Sequence, residues 1–242
     1  MAEWLLGYPE RALASIAESW ALADRVAHPF TSMTALNFAF AVLVNNREPE
    51  AALERLATAE ALVAEQRISF IVDPEIMRGA ALAALGAADE AIVHIRQGLT
   101  ETRRKGATFF LPFGFAFLAD ALVRSGEHSE AMAAAREGLE VANTTGERVW
   151  DAELHRLVGF ALLGLSRFDE GQSALEQALH VARHQQAKSY ELRAAMSLAR
   201  LWGEQGRWGE ARDLLAPVYG SFTEGFDTAD LKEAKALLDT LA

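Results

Sequence analysis

The feature that most constrains this chain is a period. Glutamates stand at Glu10, Glu50, Glu90, Glu130, Glu170 and Glu210, each 40 residues from the last. The residue after them runs Arg11, Ala51, Ala91, Ala131, Gly171 and Ala211, small in five cases of six. Four residues ahead lie Asn46, Gly86, Gly126, Ser166 and Gly206. Three phased columns with matching chemistry mark a stacked array, in which each unit buries its apolar face against its neighbours.

Each column has a physical role. Gly, Asn or Ser suits a helix end, where the chain enters the left-handed region that Gly and Asn reach cheaply. The acidic residue then falls in the first turn of the next helix, opposite the positive end of its dipole. The small residue beside it lets a neighbouring helix come close. A second small column, Ala39, Gly79, Ala119, Gly159 and Ala199, precedes the turn by seven residues, so the two columns should face each other across a hairpin. A third follows the acid side at Thr58, Gly98, Gly138 and Ala178, with Val218 breaking it.

Composition agrees with helices. Six prolines and 17 glycines are few among so many Ala, Leu, Glu and Arg, and no run alternates at a two-residue step. A hydrophobic fraction of 51% with 24% charged residues excludes a mainly disordered chain. The formal charge of −11 argues against nucleic acid as a partner, since phosphates call for a basic face. The sequence has no cysteine, which removes disulfides and thiolate chemistry and fits a reducing compartment. No apolar run reaches the length of a membrane helix, and no signal peptide opens the sequence, so no membrane partner and a cytoplasmic location are expected.

Two stretches fill a known repeat pattern. Val158, Gly159, Leu162, Ser166, Phe168, Gly171, Leu175 and Ala178 form one frame; Leu198, Ala199, Trp202, Gly206, Trp208, Ala211 and Leu215 form the next. These resemble the tetratricopeptide repeat, with a period of 40 instead of about 34 and without its usual proline. The segments 150–156 (WDAELHR), 186–193 (QAKSYELR), 211–219 (ARDLLAPVY) and 223–231 (TEGFDTADL) are similar to the C-terminal helical region of bacterial predicted-ATPase and class III adenylate/guanylate cyclase signalling proteins. The longer repeats of maltose-regulon-type activators are related. The resemblance implies a regulatory, non-catalytic module; the catalytic residues of that family lie in upstream domains, so none carries over.

The expected fold is all-α: a right-handed α-solenoid of six hairpin units ending near residues 26, 66, 105, 144, 186 and 220, followed by a capping helix near 228–241, all one domain over 1–242. Asp227 or Thr228 should cap that last helix, with Leu231, Ala234, Leu237, Leu238 and Leu241 facing inward, and Pro217 should end or kink the helix before it. The first unit should lack its leading helix, because Glu10 is so near the start. Trp4, Leu5, Leu6, Tyr8, Ala12, Ile16 and Trp20 would then form an uncovered apolar edge, waiting for an upstream domain or a second copy.

Chemistry is sparse. No phosphate-binding loop, no His-Glu-x-x-His and no Gly-x-Ser-x-Gly occurs, so neither catalytic, cofactor-binding nor metal residues are assigned and no cofactor is expected. His180 and His184 share a helix face without an evident third ligand, and read as exposed surface. The run 109–118 (FFLPFGFAFL) holds five Phe within nine residues, to be divided between core and groove. The inner groove of such an array is lined by first-helix positions: here Met33, Leu36, Phe40, Ile76, Phe113, Asp120, Arg124, Arg156, Phe160, Arg193 and Arg200. A scaffold that binds a protein or peptide segment or a small effector in this groove is the favoured function. The alternative is an enzyme with an unrecognised site there, which a convergent cluster of buried titratable groups would support.

Overall fold

A computed structural model describes every residue except Ile68, Phe70 and Ala242. Thirteen α-helices and one short 3₁₀ turn account for its regular structure among the described residues. They pair in sequence as six antiparallel hairpins: α1 (Ala2–Leu5) with α2 (Pro9–Val26), α3 (Pro29–Asn45) with α4 (Pro49–Gln66), and α5 (Pro74–Ala84) with α6 (Ala88–Arg104). Then follow α7 (Leu111–Arg124) with α8 (His128–Thr145), α9 (Asp151–Gly164) with α10 (Phe168–His184), and α11 (Lys188–Glu204) with α12 (Trp208–Gly220). A last helix, α13 (Ala229–Thr240), closes the array. The expected all-α helical repeat is what forms.

The small columns work as contact points. A methyl built on Gly159 of α9 would lie 2.7 Å from Leu175 and 3.2 Å from the Gly171 carbonyl of α10; one on Gly171 would meet Leu163 at 2.7 Å and the Gly159 carbonyl at 3.2 Å. Gly79 similarly abuts Ile95 and the Ala91 carbonyl. The two helices of these hairpins approach backbone to backbone, and at Gly159, Gly171 and Gly79 only hydrogen fits.

The period is not uniform. Helices α5, α7, α9 and α11 end on caps 40 residues apart, but the caps Asn46 and Leu85 are separated by 39. The glutamates keep their spacing while the helices slip by one. In the first two hairpins the second helix begins on Pro9 or Pro49, and the residue before each, Tyr8 or Glu48, leaves the helical region. The buried small column is accordingly Ala12 and Ala52, not Arg11 and Ala51, and the left-handed turn residue is Arg47 at φ 63°, not Asn46.

Other expectations change at the ends. The first hairpin does have a leading helix, the four-residue α1. Its edge is not open: Trp4 is buried against Tyr190, with ring centroids 5.4 Å apart, and its carbonyl accepts a hydrogen bond from Ser189. Glu10 accepts from the Gly225 amide at 2.8 Å, and the Arg11 amide donates to Glu224 at 3.0 Å. The array curls far enough to bring the loop before α13 onto the first hairpin, and Trp4 and Ala12 of the expected apolar edge are buried. Leu6, Leu22 and Val26 nonetheless stay exposed. Pro217 does not end α12, which continues to Gly220. Thr228 is the N-cap residue of α13, although its hydroxyl binds the Gly225 carbonyl and caps no amide of the helix; Leu231, Ala234 and Leu241 are buried inward.

Overpacking a contact point should cost stability. Gly159→Leu or Ala131→Leu should each lose about 1–3 kcal/mol, because no space exists for added carbons. Arg183→Leu, whose residue forms an exposed pair with Glu191, should change the unfolding midpoint far less. Equal midpoints in urea for the three variants would refute these contacts.

Candidate functional site

The inner face of the curl holds a cavity of about 390 Å³, open to solvent. Its walls come from first helices at matched heights. Asp120, Phe160 and Arg200 occupy one level of α7, α9 and α11; Ala116, Arg156 and Met196 occupy another. Asn45 and Arg47 contribute from the second hairpin, Trp150 from the turn before α9, and Asp230 and Glu233 from α13. Repetition thus converts one helix position into a row of side chains facing one space.

Below the cavity lies an aromatic layer. Trp4, Tyr190, Trp150, Phe113 and Phe117 follow one another, with centroid separations of 5.4, 6.2, 5.1 and 4.8 Å. This divides the phenylalanine run: Phe113 and Phe115 are core, Phe109 is exposed, and Phe117 reaches the cavity wall. The layer joins α1 of the first hairpin to α11 of the sixth and α7 of the fourth, far apart in sequence.

Above it the charges are paired. Arg124 bonds Asp120 at 2.7 Å; Arg156 grips Glu153 through two nitrogens at 2.5 and 2.9 Å. Arg193 bonds Asp230 at 2.7 Å and the Asn45 carbonyl at 2.5 Å, and its guanidinium lies 5.0 Å from the centre of the Trp4 ring. Asn45 is the last residue of α3, so its carbonyl belongs to the negative end of that helix dipole. Arg200 and Arg47 converge on the two oxygens of Glu233, at 2.6 and 2.5 Å. Burial alone would raise the Glu153 pKa, but Arg156, Arg193 and Arg124 outweigh it and hold the carboxyl below its ordinary 4.5. Glu233 is likewise held down against its burial, by Arg47, Arg200 and Arg156. Burial and then the Glu153 charge push the Tyr190 phenol well above 10. Burial would lower Arg193, yet Asp230 and Glu153 keep it firmly charged.

Six of the eleven expected groove residues meet here: Asp120, Arg124, Arg156, Phe160, Arg193 and Arg200. The other five do not line the cavity. Met33, Leu36 and Phe40 are buried between helices, because the one-residue slip before the third hairpin rotates the register of α3; Phe40 takes the place that Gly79 has in α5. Ile76 is buried where α5 meets α6 and α7, close against Gly98 and Gly114, and Phe113 lies beneath Phe117 and Trp150. Sequence reasoning missed Arg47, Glu153, Asp230 and Glu233. Glu153 had a signal, the i,i+3 spacing to Arg156 on one helix face. The other three depend on α13 meeting the second hairpin, which no local pattern announces.

No family model matches the chain, and no curated protein matches it either. Solved structures do. NprR in complex with its cognate peptide NprX superposes with a TM-score of 0.72 at 16% identity, over 93% of this chain and 67% of that one. TTC0263, a thermophilic TPR protein of Thermus thermophilus, gives 0.58 at 17% identity, over 96% of this chain and 98% of that one. The fold is a tetratricopeptide-type array. At these identities the likeness establishes architecture alone.

The charges of the tetratricopeptide cavity are fixed by its ion pairs. Glu153 and Glu233 are held ionised by guanidiniums and the buried Tyr190 phenol is held neutral. These pKa values move away from neutrality, where general acid–base work needs them. Such walls offer paired charges and aromatic surface to a ligand.

The ion pairs make stability acid-sensitive. The Glu153 pKa is depressed in the folded state, so its contribution is complete above the unfolded value near 4.5 and is lost as pH falls below it. Chemical unfolding from pH 7 down to 3 should show stability dropping through that window. Glu153→Gln should be less stable at neutral pH and show a shallower acid limb. An unchanged acid slope in the variant would contradict the pairing.

Proposed function

We propose that this chain is a non-catalytic peptide-binding module, which seats a short segment of protein or a free peptide in the inner cavity. The observation that carries the reading is the cavity itself: about 390 Å³ of open space, walled by matched first-helix side chains with aromatic, aliphatic and charged character. The NprR structure supports it, since a protein that contains an array of the same fold is there in complex with its cognate peptide. The sequence resemblance supports the further proposal that the chain is the regulatory arm of a larger cytoplasmic signalling ATPase or nucleotide cyclase, passing ligand occupancy to domains that do the chemistry.

An enzymatic reading draws on one specific observation, the cluster of Glu153, Arg156, Arg193 and Tyr190 beneath the cavity. Buried titratable groups of this kind accompany active sites. Here the acid is neutralised by its neighbours, which fits a structural ion-pair network better.

The test is direct binding. A fluorescein-labelled hexapeptide library should give saturable anisotropy changes with the purified chain, and Phe160→Ala should weaken the selected peptides by about tenfold, the loss of an aromatic wall. The same preparation should neither hydrolyse nor cyclise ATP. Absence of saturable binding, or turnover that follows the chain through repurification, would overturn the reading.

A further inference from the structure

Besides Arg124–Asp120 at 2.7 Å and a longer Arg47–Asp230 contact at 3.4 Å, two sets of ion pairs in the cavity differ in exposure. Those of Arg156 and Arg193 are sunk: the side chains of Arg156, Glu153, Arg193 and Asp230 are each at most 15% exposed. Those of Glu233 are open: Arg47, Arg200 and Glu233 are 44%, 38% and 41% exposed. Glu233 comes from α13, while its two partners come from the turn of the second hairpin and from α11. Two cations from opposite sides of the curl are bridged by one carboxylate that solvent can reach.

The backbone at Arg47 adds weight. The equivalent turn residues are Gly7, Gly86, Gly126, Ser166 and Gly206, and all adopt positive φ. Arg47 at φ 63° is the only long side chain in this set, in a conformation that disfavours any residue with a Cβ. That turn trades backbone comfort for a cation placed at the cavity, facing Arg200 across Glu233. Packing of the hairpin does not require it, because glycine serves most of the other turns.

We propose that Glu233 is a built-in occupant of an anion position between Arg47 and Arg200, and that the peptide bound by the cavity carries a carboxylate which replaces it. This rests on the peptide-binding reading and names the chemistry of its ligand. Exchange keeps both guanidiniums paired, so it leaves no cation bare; an exposed pair is also weakly held, which makes the replacement easy. The Arg193–Asp230 bond stays in place beneath, so α13 loosens at Glu233 without leaving the array. Ligand arrival is thereby converted into release of a contact between α13 and the second hairpin.

Three hexapeptide libraries with four apolar positions test this: two Glu with an amidated C-terminus, two Gln amidated, and two Gln with a free C-terminal carboxylate. Anisotropy is measured on the wild-type chain, Glu233→Gln and Arg200→Met. The Glu library should bind wild type best, tighten about 2- to 5-fold on Glu233→Gln, and weaken on Arg200→Met. The amidated Gln library should ignore both substitutions. Tightening confined to the free-terminus library would assign the carboxylate to the peptide end, and tightening of the Glu library to its side chains. Independently of the variants, saturating acidic peptide should speed hydrogen exchange in α13 of the wild type. Equal binding of all three libraries, unmoved by either substitution and without change in α13, would overturn the proposal and leave peptide binding standing. No binding by any library to wild type or Glu233→Gln would remove the peptide reading itself.

Discussion

A guanidinium that keeps its charge sits where this fold closes. Arg193 belongs to α11, yet it bonds the terminal carbonyl of α3, the Asp230 carboxylate of α13 and the face of Trp4 in α1. Those partners span nearly the whole chain. An arginine does not discharge on burial, so it must be surrounded by acceptors. Removing any one of these elements would leave a buried cation short of a partner. The array is therefore held as a curl with its ends in register, where nearest-neighbour stacking alone would allow many curvatures.

The cavity follows from this closure. Stacked first helices supply rows of side chains, but a row becomes an enclosure only when α13 and the turn at Arg47 complete its wall. The aromatic layer from Trp4 to Phe117 provides a dry floor, which strengthens the ion pairs above it by excluding water. Sunk pairs fix the shape, and the open pairs are those that the proposed ligand would exchange.

Much of this was legible in the sequence, for a physical reason. Helix–helix contact at Gly159 and Gly171 demands small residues, and those recur with each unit, so period, hairpins and the capping helix could be read. The slip between the second and third hairpins could not. The glutamate column carries only a weak dipole preference and tolerates a one-residue shift, whereas the buried Ala52 does not. That shift misplaced Met33, Leu36 and Phe40. Closure was also hidden, because Trp4 and Ser189 meet across 185 residues and curvature accumulates from small rotations at every hairpin. Six of the cavity residues were found because first-helix phase from the third hairpin onward is regular; Asp230 and Glu233 were not, because only closure brings them in.

The distance between the two ends of the array tests this account most directly. The sequence has no cysteine, so Ala14→Cys and Asp227→Cys place spin labels at two exposed positions alone. Electron–electron double resonance should give one narrow distribution, centred on the separation of the closed curl. It should broaden and lengthen when Arg193→Ala removes the shared partner. A broad distribution in the unsubstituted background, or a narrow one that survives Arg193→Ala, would contradict closure through Arg193.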